Sequence, residues 1–296
     1  MESEQFIINE QPELRRPDLV AAFAGWPDAA QVATSTVTYM VRKLNATMFA
    51  EIGAEEFYDF TTIRPMVSIE RGLLSGIKMP TNSFFYWRNP EAEHDLVLLH
   101  GIEPQLHWQG YIDLILDLAD RLKVVSVYTL GGLYDRVPHT MEPKITAAVN
   151  KPELVDVLEK HDIEPIAYHG PSSLHTLLLS ALAQRGMDAF SLWGHTPFYV
   201  RAETNPMVCS ELLYKLTELL EIEVDMEEVT KAGEYLKKTL SRLLEKSDEL
   251  RFYVQKLEEQ YEVEGMAPGG LSEDTEKIVR EVEDFLKGER HGGESS

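Results

Sequence analysis

The feature that most constrains the fold is a short stretch in which the hydrophobic pattern changes from that of a strand to that of a helix. Residues 19 to 24 are all apolar, which is typical of a strand buried on both faces of a parallel sheet. Gly25 permits a sharp turn, Pro27 suits the first turn of a helix, and Asp28 places a carboxylate near the positive end of a helix dipole. We predict that this turn lies at the carboxyl edge of a central sheet, where open α/β sheets usually place their sites.

The same alternation of buried strand and helix recurs along the chain. Apolar runs at 95–101, 124–130 and 187–194 each predict a further central strand. Helices with one apolar face are predicted at 111–122 and 206–220. Strands that alternate with helices indicate an α/β fold with a largely parallel sheet.

Charge and cysteine content exclude several classes of function. The chain has 296 residues, of which 50 are acidic and 28 basic, giving a net charge of −22. This charge argues against nucleic acid or an anionic membrane as the main partner and favours a basic partner surface. Cys209 is the single cysteine, so an intrachain disulfide and a cysteine-based zinc site are excluded. With no apolar run of membrane-spanning length, we predict a cytoplasmic protein without a cofactor.

The turn after the first buried strand does not have the composition of a phosphate-binding loop. Such a loop needs several glycines, free N–H groups and a basic side chain, whereas this one has one glycine, a proline and the carboxylate of Asp28. One interpretation is structural: Trp26 packs and Asp28 caps the helix. The other is that Asp28 orients a polar ligand or a loop of a partner protein.

Two other loops contribute candidate residues to the same edge. Glu103 follows the strand at 95–101, and an irregular loop after the strand at 124–130 contains Arg136, His139 and Thr140. Long irregular loops at the carboxyl ends of central strands often carry function. We therefore predict a ligand or partner site from the following residues: Trp26, Asp28, Glu103, Arg136, His139 and Thr140.

Catalytic and metal-binding patterns are incomplete. His100 and His107 are seven residues apart with Pro104 between them, which does not fit the spacing of a helical zinc site, so we predict no metal. The serines at 172–173 lie beside His175, but the glycine-flanked elbow of serine hydrolases is absent. We predict that one of these serines caps the helix that follows.

A mixed aromatic and β-branched stretch precedes the second central strand. Residues 57 to 71 alternate intermittently, which predicts strands with one exposed face. Four adjacent aromatic residues at 84–87 predict a core or oligomer contact rather than a stacking surface for nucleic acid.

The C-terminal region has a different composition and a heptad pattern. Apolar positions from Leu236 to Tyr261 recur at alternating intervals of four and three, as in a coiled-coil seam. Glycine and proline at 265–270 then precede a second apolar helix. We predict an α/β core domain at 1–225, a helical hairpin appendage at 226–288 that packs on the core domain or on another subunit, and a disordered tail at 289–296.

Taken together, the motifs between about Leu19 and Leu220 resemble one family. The motifs are Gly25-Trp26-x-Asp28, Phe57-Tyr58-Asp59-Phe60 with Arg64-Pro65, Gly101-x-Glu103-Pro104, Trp108, Thr129-Leu130-Gly131, Val137-Pro138-His139-Thr140, Gly170-Pro171, Ser191-Leu192-Trp193 and Asn205-Pro206. In their order and spacing they resemble the prokaryotic branch of the proteasome assembly chaperone superfamily, the group typified by the second eukaryotic proteasome assembly chaperone.

The resemblance implies a three-layer α/β/α domain like that of phosphorylases and hydrolases, assembled into a homo-oligomer, with a trimer among the options. It implies a non-catalytic chaperone or scaffold that presents strand-end loops to a protein partner. A proteasome-like complex is one such partner, although the last residues, Gly293-Glu-Ser-Ser296, lack the hydrophobic-tyrosine-any ending that docks on proteasome α-rings.

Two alternative functions follow from the same residues. One is a small-molecule enzyme or binder that uses Asp28, Glu103, Arg136 and His139 in the strand-end crevice. The other is the ATP-grasp carboligase activity with which some relatives are labelled. The second needs lysines for phosphate beside its paired carboxylates, and the loops supply carboxylates without a lysine, so we set it aside.

Overall fold

The computed structural model describes residues 6–92, 94–263 and 273–293. Within these ranges the strands are, in chain order, β1 Phe6–Ile8, β2 Asp18–Ala24, β3 Thr47–Ile52, β4 Met66–Glu70, β5 Leu73–Lys78, β6 Asn82–Trp87, β7 Leu96–Ile102, β8 Ser126–Asp135, β9 Ile145–Val149, β10 Glu164–Pro165 and β11 Asp188–Pro197. The helices are α1 Val32–Lys43, α2 Trp108–Leu122, α3 Val155–Lys160, α4 Leu174–Gln184, α5 Pro206–Leu220, α6 Glu227–Lys246, α7 Asp248–Val263 and α8 Glu273–Gly293.

Nine strands form one sheet with four parallel strands at its centre. The strand order is β1-β3-β6-β7-β2-β8-β11-β9-β10, and β4 pairs separately with β5. Strand β2 is parallel to both β7 and β8, and β8 is parallel to β11. Residues 18 to 23 of β2 are all buried, so the apolar run at 19–24 forms a central strand, as its composition predicts.

Helices cover both faces of this sheet. On one face α1, α3 and α5 contribute buried side chains such as Met40, Leu158 and Leu216. On the other face α2 and α4 contribute side chains such as Tyr111 and Leu178. This arrangement confirms the predicted α/β fold with three layers.

In the stretch from 57 to 71, where we predicted strands with one exposed face, residues 66–70 form β4, which is exposed on both faces, and the residues before it form turns. The N–H groups of Phe57 and Tyr58 bond to the carbonyl of Ala54, which makes a turn. The carboxylate of Asp59 accepts a hydrogen bond from the N–H of Thr61 at 2.8 Å, and such local bonds compete with pairing in a sheet. Phe57 and Tyr58 are nevertheless buried, so their aromatic character reflects core packing rather than a strand.

The C-terminal appendage is confirmed, but its described residues, 227–263 and 273–293, form three helices where we predicted two. Helix α6 ends where Ser247 adopts an extended backbone, with φ −122° and ψ 107°. The Ser247 hydroxyl then accepts a hydrogen bond from the N–H of Leu250 at the start of α7. Leu240 and Leu243 on α6 and Leu250 on α7 are buried in one cluster, so the seam continues across the break.

The appendage packs on the α/β part of the chain. Its buried side chains join a cluster with Tyr199, Val200 and Met207. The guanidinium of Arg42 on α1 donates two hydrogen bonds to the carboxylate of Glu228 on α6, both 2.8 Å long. Seam residues therefore contact the core domain, one of the two contacts that we predicted.

The predicted termini and the break in the appendage lie partly outside the described residues. Helix α8 extends to Gly293, past the predicted start of the tail at residue 289. The acidic start at 1–5, the Gly/Pro break at 265–270 and the last residues at 294–296 lie outside the described ranges. Across the ranges that are described, no helix has the length and apolar character needed to cross a membrane.

Candidate functional site

The carboxyl ends of the central parallel strands bring the predicted site loops to one edge of the sheet. The loops after β2, β7, β8 and β11 begin at residues 25, 103, 136 and 198. Because parallel strands end at the same edge, these loops are neighbours there, and we call this region the strand-end edge. Strand β6 is antiparallel to β7, so Asn82 and the β4–β5 hairpin that precedes it also lie at this edge.

The turn after β2 is fixed against the sheet by its backbone. Gly25 has a φ of +127°, which residues other than glycine rarely adopt. The N–H of Gly132 in β8 donates to the carbonyl of Pro27 at 2.7 Å. A Cβ at position 132 would lie 2.8 Å from the carbonyl oxygen of Ala29. The turn can therefore approach β8 this closely only because residue 132 is glycine.

Asp28 caps the helix that follows this turn. Its carboxylate accepts hydrogen bonds from the N–H groups of Ala33 and Thr34, at 2.8 and 3.3 Å, and from the Thr34 hydroxyl at 2.5 Å. These are N–H groups of the first helical turn, which have no partner within the helix. Burial raises the pKa of Asp28, although these hydrogen bonds act to lower it. The structural interpretation of Asp28 accounts for these contacts.

Glu103 caps a different helix. Its N–H donates to the carbonyl of Ala24 at 2.8 Å, and its carboxylate accepts from the N–H of Leu174 at 2.9 Å. Burial raises the pKa of Glu103. Ser173 occupies the N-cap position of α4, as predicted, but neither serine side chain bonds to the start of the helix, so the carboxylate of Glu103 supplies the cap instead. Glu103 also lies against the turn after β2, since a Cβ added to Gly25 would be 3.4 Å from the Cβ of Glu103.

His139 and Thr140 lie beneath the appendage. The N–H of His139 donates to the Tyr199 hydroxyl at 2.8 Å, and its Nδ1 shares a hydrogen bond with the same hydroxyl at 2.5 Å. Burial, with a smaller effect of the positive charge of Lys237, lowers the pKa of His139 to about 4. The imidazole is therefore neutral near pH 7. The Thr140 hydroxyl donates to the carboxylate of Glu258 on α7.

The polar side chains predicted for the site thus have separate partners. Asp28 is engaged with α1 and Glu103 with α4, whereas His139 and Thr140 are engaged with Tyr199 and the appendage. Arg136 is exposed at the start of its loop. The structure brings the Gly25 turn and Glu103 together, and a shared site that also includes the 136–140 loop stays a prediction.

Sequence reasoning missed a buried polar cluster between β8, β9 and β11. The imidazole of His195 is fully buried, with Nδ1 2.7 Å from a carboxylate oxygen of Asp135 and Nε2 2.9 Å from the Thr146 hydroxyl. Burial acts to raise the pKa of Asp135, but the hydrogen bond and charge of His195 hold it below its usual value. The only sequence signal was a histidine and an aspartate near the ends of two predicted strands. Because both ring nitrogens have partners, the cluster ties three strands together.

Metal ligation finds no support among the described side chains. Across residues 6–92, 94–263 and 273–293, no group of three or more His, Cys, Asp or Glu side chains could hold a metal ion. His100 and His107, the pair considered from the sequence, do not form such a group with Glu103.

Two cavities, of which one lies beside the candidate residue His139, are small. One of about 180 Å³ lies between α1, α5 and α6 and is lined by residues that include Tyr39, Cys209 and Val229. The other, of about 10 Å³, lies beside His139 and His195. Small-molecule sites typically enclose roughly 300 to 1,000 Å³. Neither cavity has the volume expected of a substrate pocket.

Large apolar side chains are exposed at the strand-end edge. Trp26 is 61% exposed and therefore does not pack in the core, contrary to the structural interpretation of this residue. Leu106, on the loop after β7, is also exposed, and so is Tyr168, on the loop that leads from β10 to the N–H of Leu174 beside Glu103. The β4–β5 hairpin adds six exposed aliphatic side chains: Met66, Val67, Ile69, Leu73, Leu74 and Ile77.

Comparison with solved structures finds relatives that share the fold over most of the chain. The chain is 32% identical to a PAC2 family protein from Streptomyces avermitilis, covering 80% of this chain and 99% of that one, with a TM-score of 0.73. It is 28% identical to a proteasome-assembly chaperone homologue from Mycobacterium tuberculosis, with coverage of 80% and 99% and a TM-score of 0.74. An archaeal proteasome activator from Pyrococcus furiosus shares the fold at 21% identity, with coverage of 80% and 97% and a TM-score of 0.64.

A comparison with curated proteins finds no match. A family model, that of the PAC2 family, matches residues 22–244, which is well over half of the chain and includes the strand-end loops and most of α6. This match and the structural relatives confirm the resemblance to proteasome assembly chaperones that the motifs indicate. The chain is a member of the PAC2 family.

Proposed function

We propose that this protein is a non-catalytic chaperone or scaffold that binds a protein partner at its strand-end edge and does so as a homo-oligomer. The observation that carries the proposal is the exposure of Trp26 on a turn whose backbone is fixed on both sides. Tryptophan is among the residues most enriched at the energetic centres of protein interfaces. An exposed tryptophan on a rigid turn loses little conformational entropy when a partner covers it.

Contacts around the turn support this role for Trp26. Gly132 holds Pro27 against β8, Asp28 holds the start of α1, and Glu103 packs against Gly25. These contacts therefore position the turn while leaving the indole exposed. Leu106 and Tyr168, exposed on neighbouring loops, extend the apolar surface that a partner would cover.

The same contacts do not favour the enzyme alternative. A general acid or base needs a side chain that can reach a substrate, but the carboxylates of Asp28 and Glu103 accept hydrogen bonds from helix N–H groups. The imidazole of His139 is buried and bonded to Tyr199. The nearby cavity of about 10 Å³ is too small for a substrate.

The relatives indicate the class of partner. Two structural relatives are described as a proteasome-assembly chaperone homologue and an archaeal proteasome activator. We propose that the partner is a proteasome subunit or a complex of similar architecture. A basic partner surface would be attracted by the net charge of −22.

Binding to proteasome α-subunits of the same organism tests the proposal. The full chain is immobilised, and the affinity is measured for the wild type and for a Trp26→Ala, Tyr168→Ala double variant. We expect the double variant to weaken binding by about 30-fold or more, as hot-spot truncations do. Circular dichroism confirms that the variant is folded.

The matched control replaces two aromatic residues of similar exposure on the appendage, Tyr235→Ala and Phe252→Ala. This control should bind as the wild type does. Failure of the wild type to bind any α-subunit would refute a proteasome partner. Equal binding by the edge variant and the control would refute the strand-end edge as the contact surface.

A further inference from the structure

The β4–β5 hairpin, residues 66–78, exposes apolar side chains on both of its faces, and we call it the arm. Every residue of both strands is exposed. Its six large aliphatic side chains are between 54% and 74% exposed, which leaves on the order of 500 Å² of apolar surface in water. Monomeric proteins rarely expose apolar patches of this size unless the patch binds something.

The arm cannot draw stability from its own packing. An isolated two-stranded hairpin is marginally stable in water, because it has no second layer to bury its side chains. The turn at Arg71 and Gly72, both with positive φ, gives the tight two-residue connection that suits a hairpin. A well-formed hairpin with two apolar faces therefore implies a surface that covers it.

Contacts of the segment just after β5 fix the base of the arm. The side-chain amide of Asn82, just after β5, donates to the Tyr58 hydroxyl at 2.5 Å and its oxygen accepts from the N–H of Ile102 at 2.8 Å. Prolines at positions 65 and 80 stand on either side of the two strands and restrict the backbone there. The arm is thus a projection with a fixed base at the strand-end edge.

Charge indicates what covers the arm. The arm, residues 66–78, contains Arg71 and Lys78 and only one acidic residue, Glu70, for a net charge of +1, and Arg64 stands two residues before it. The total of −22 leaves −23 on the rest of the chain. A basic apolar arm on an acidic protein is complementary to the body of another copy of that protein. We propose that the arm of one copy docks on the acidic body of a second copy.

Direct pairing of two arms fits less well. Two arms would bring like charges together, which is unfavourable across an interface. The pairing of β4 with β5 also contains a register shift after Ser68, and such bulges discourage edge-to-edge addition of strands. The contact between arm and body joins different surfaces, so it builds a ring if the rotation closes. This inference rests on the oligomeric part of the proposed function and assigns its contact surface.

The test replaces five of the six large aliphatic side chains of the arm by threonine, which keeps a high preference for strands. The variant carries Val67→Thr, Ile69→Thr, Leu73→Thr, Leu74→Thr and Ile77→Thr. Light scattering after size-exclusion chromatography gives the mass of the full chain against the subunit mass of 33.7 kDa. We expect the wild type to be an oligomer at tens of micromolar and the variant to dissociate at least about 100-fold more readily.

A second variant tests the assignment of the partner surface by charge. Arg71→Glu with Lys78→Glu keeps the apolar faces but reverses the charge of the arm, and we expect it to weaken the oligomer as well. A control with Tyr235→Thr and Phe252→Thr removes exposed aromatic residues from the appendage and should leave the mass unchanged.

The outcomes separate this inference from the proposed function. A wild type that stays at 33.7 kDa, or a threonine variant that keeps the wild-type mass, would overturn the docking of the arm on a second copy. An oligomer unaffected by charge reversal would overturn the acidic body as its site. Binding of proteasome α-subunits is measured in parallel, and its absence from an intact, arm-dependent oligomer would refute the proposed function alone.

Discussion

Replacing Asp28 distinguishes a helix cap from a ligand-binding carboxylate. In Asp28→Ala, the N–H of Ala33 and the N–H and hydroxyl of Thr34 lose their acceptor in a buried environment. Loss of a cap costs about 0.5 to 2 kcal/mol, and a buried polar group left without a partner costs about 1 to 3 kcal/mol. The substitution also removes the cost of burying a charged carboxylate, which offsets part of this loss. We expect the free energy of unfolding to fall by about 2 to 4 kcal/mol.

The isosteric variant Asp28→Asn is the matched control. Its amide oxygen can accept from both N–H groups, and the Thr34 hydroxyl can rotate to accept from its amide nitrogen. We expect a change in stability within about 1 kcal/mol of the wild type at pH 7. Asparagine is also among the preferred capping residues.

The pH dependence of the two proteins should differ in a defined direction. Burial raises the pKa of Asp28 in the folded protein above its ordinary value of 3.8, which it keeps in the unfolded chain. At pH values between the unfolded-state pKa and the folded-state pKa, the folded state therefore binds more protons than the unfolded state. The wild type therefore loses stability as pH rises through that window. Asp28→Asn lacks this loss, and its stability relative to the wild type should rise from pH 4 to pH 7.

These differences can be measured by urea unfolding at several pH values, with circular dichroism as the probe. A change in the urea concentration at the midpoint of unfolding, without a change in the slope of the free energy against urea concentration, reports a change in stability. A cost below about 1 kcal/mol for Asp28→Ala, together with loss of partner binding in both variants, would refute the capping argument. It would show that the carboxylate acts on a ligand.

Three further predictions concern burial and close approach. Burial raises the pKa of Asp18 to about 6. Asp18→Asn should therefore raise the free energy of unfolding at pH 7 by up to about 3 kcal/mol. Urea titrations should show that this gain disappears as the pH falls below 4. Glu103→Ala removes the cap of α4 and should cost about 0.5 to 2 kcal/mol, whereas thermal unfolding of Glu103→Gln, which keeps an acceptor, should show a smaller loss. Gly132→Ala places a Cβ 2.8 Å from the carbonyl oxygen of Ala29 and should lower the free energy of unfolding by about 1 to 3 kcal/mol. The control is Gly110→Ala on α2, where the added Cβ would meet open space. It should be neutral or stabilising in the same urea assay.

The central sheet could be predicted because its signals are local. The apolar run before Gly25 is long enough to specify a strand buried on both faces, and the next residues specify a helix start. The break at Ser247 could not be predicted, since the intervals from Leu243 to Ser247 and from Ser247 to Leu250 continue the heptad spacing. A heptad pattern reports which face is buried and is insensitive to a local break in the backbone.

The roles of the site residues depend on contacts between distant parts of the chain. Glu103 caps a helix that begins 71 residues later, and Thr140 bonds to Glu258, 118 residues away. Neither contact leaves a pattern in the intervening sequence. The exposure of the arm could not be predicted from the sequence either. The preference of its residues for strands indicates a pleated backbone but does not indicate whether another surface covers that strand. Asp28 was the exception, since its capping role depends on residues only five and six positions away.

The appendage divides the strand-end edge into a covered half and an open half. Tyr199 and Thr140, beyond the ends of β11 and β8, contact the helices of the appendage, so a partner cannot reach the loops there while those helices are in place. The open half follows β2 and β7 and carries Trp26, Leu106 and the base of the arm. An oligomer formed through the arm therefore places its subunit contact beside the Trp26 turn. Under both proposals the surface that a partner covers would be continuous with the contact between copies, and we predict that assembly of the oligomer and recognition of the partner depend on the same edge of the sheet.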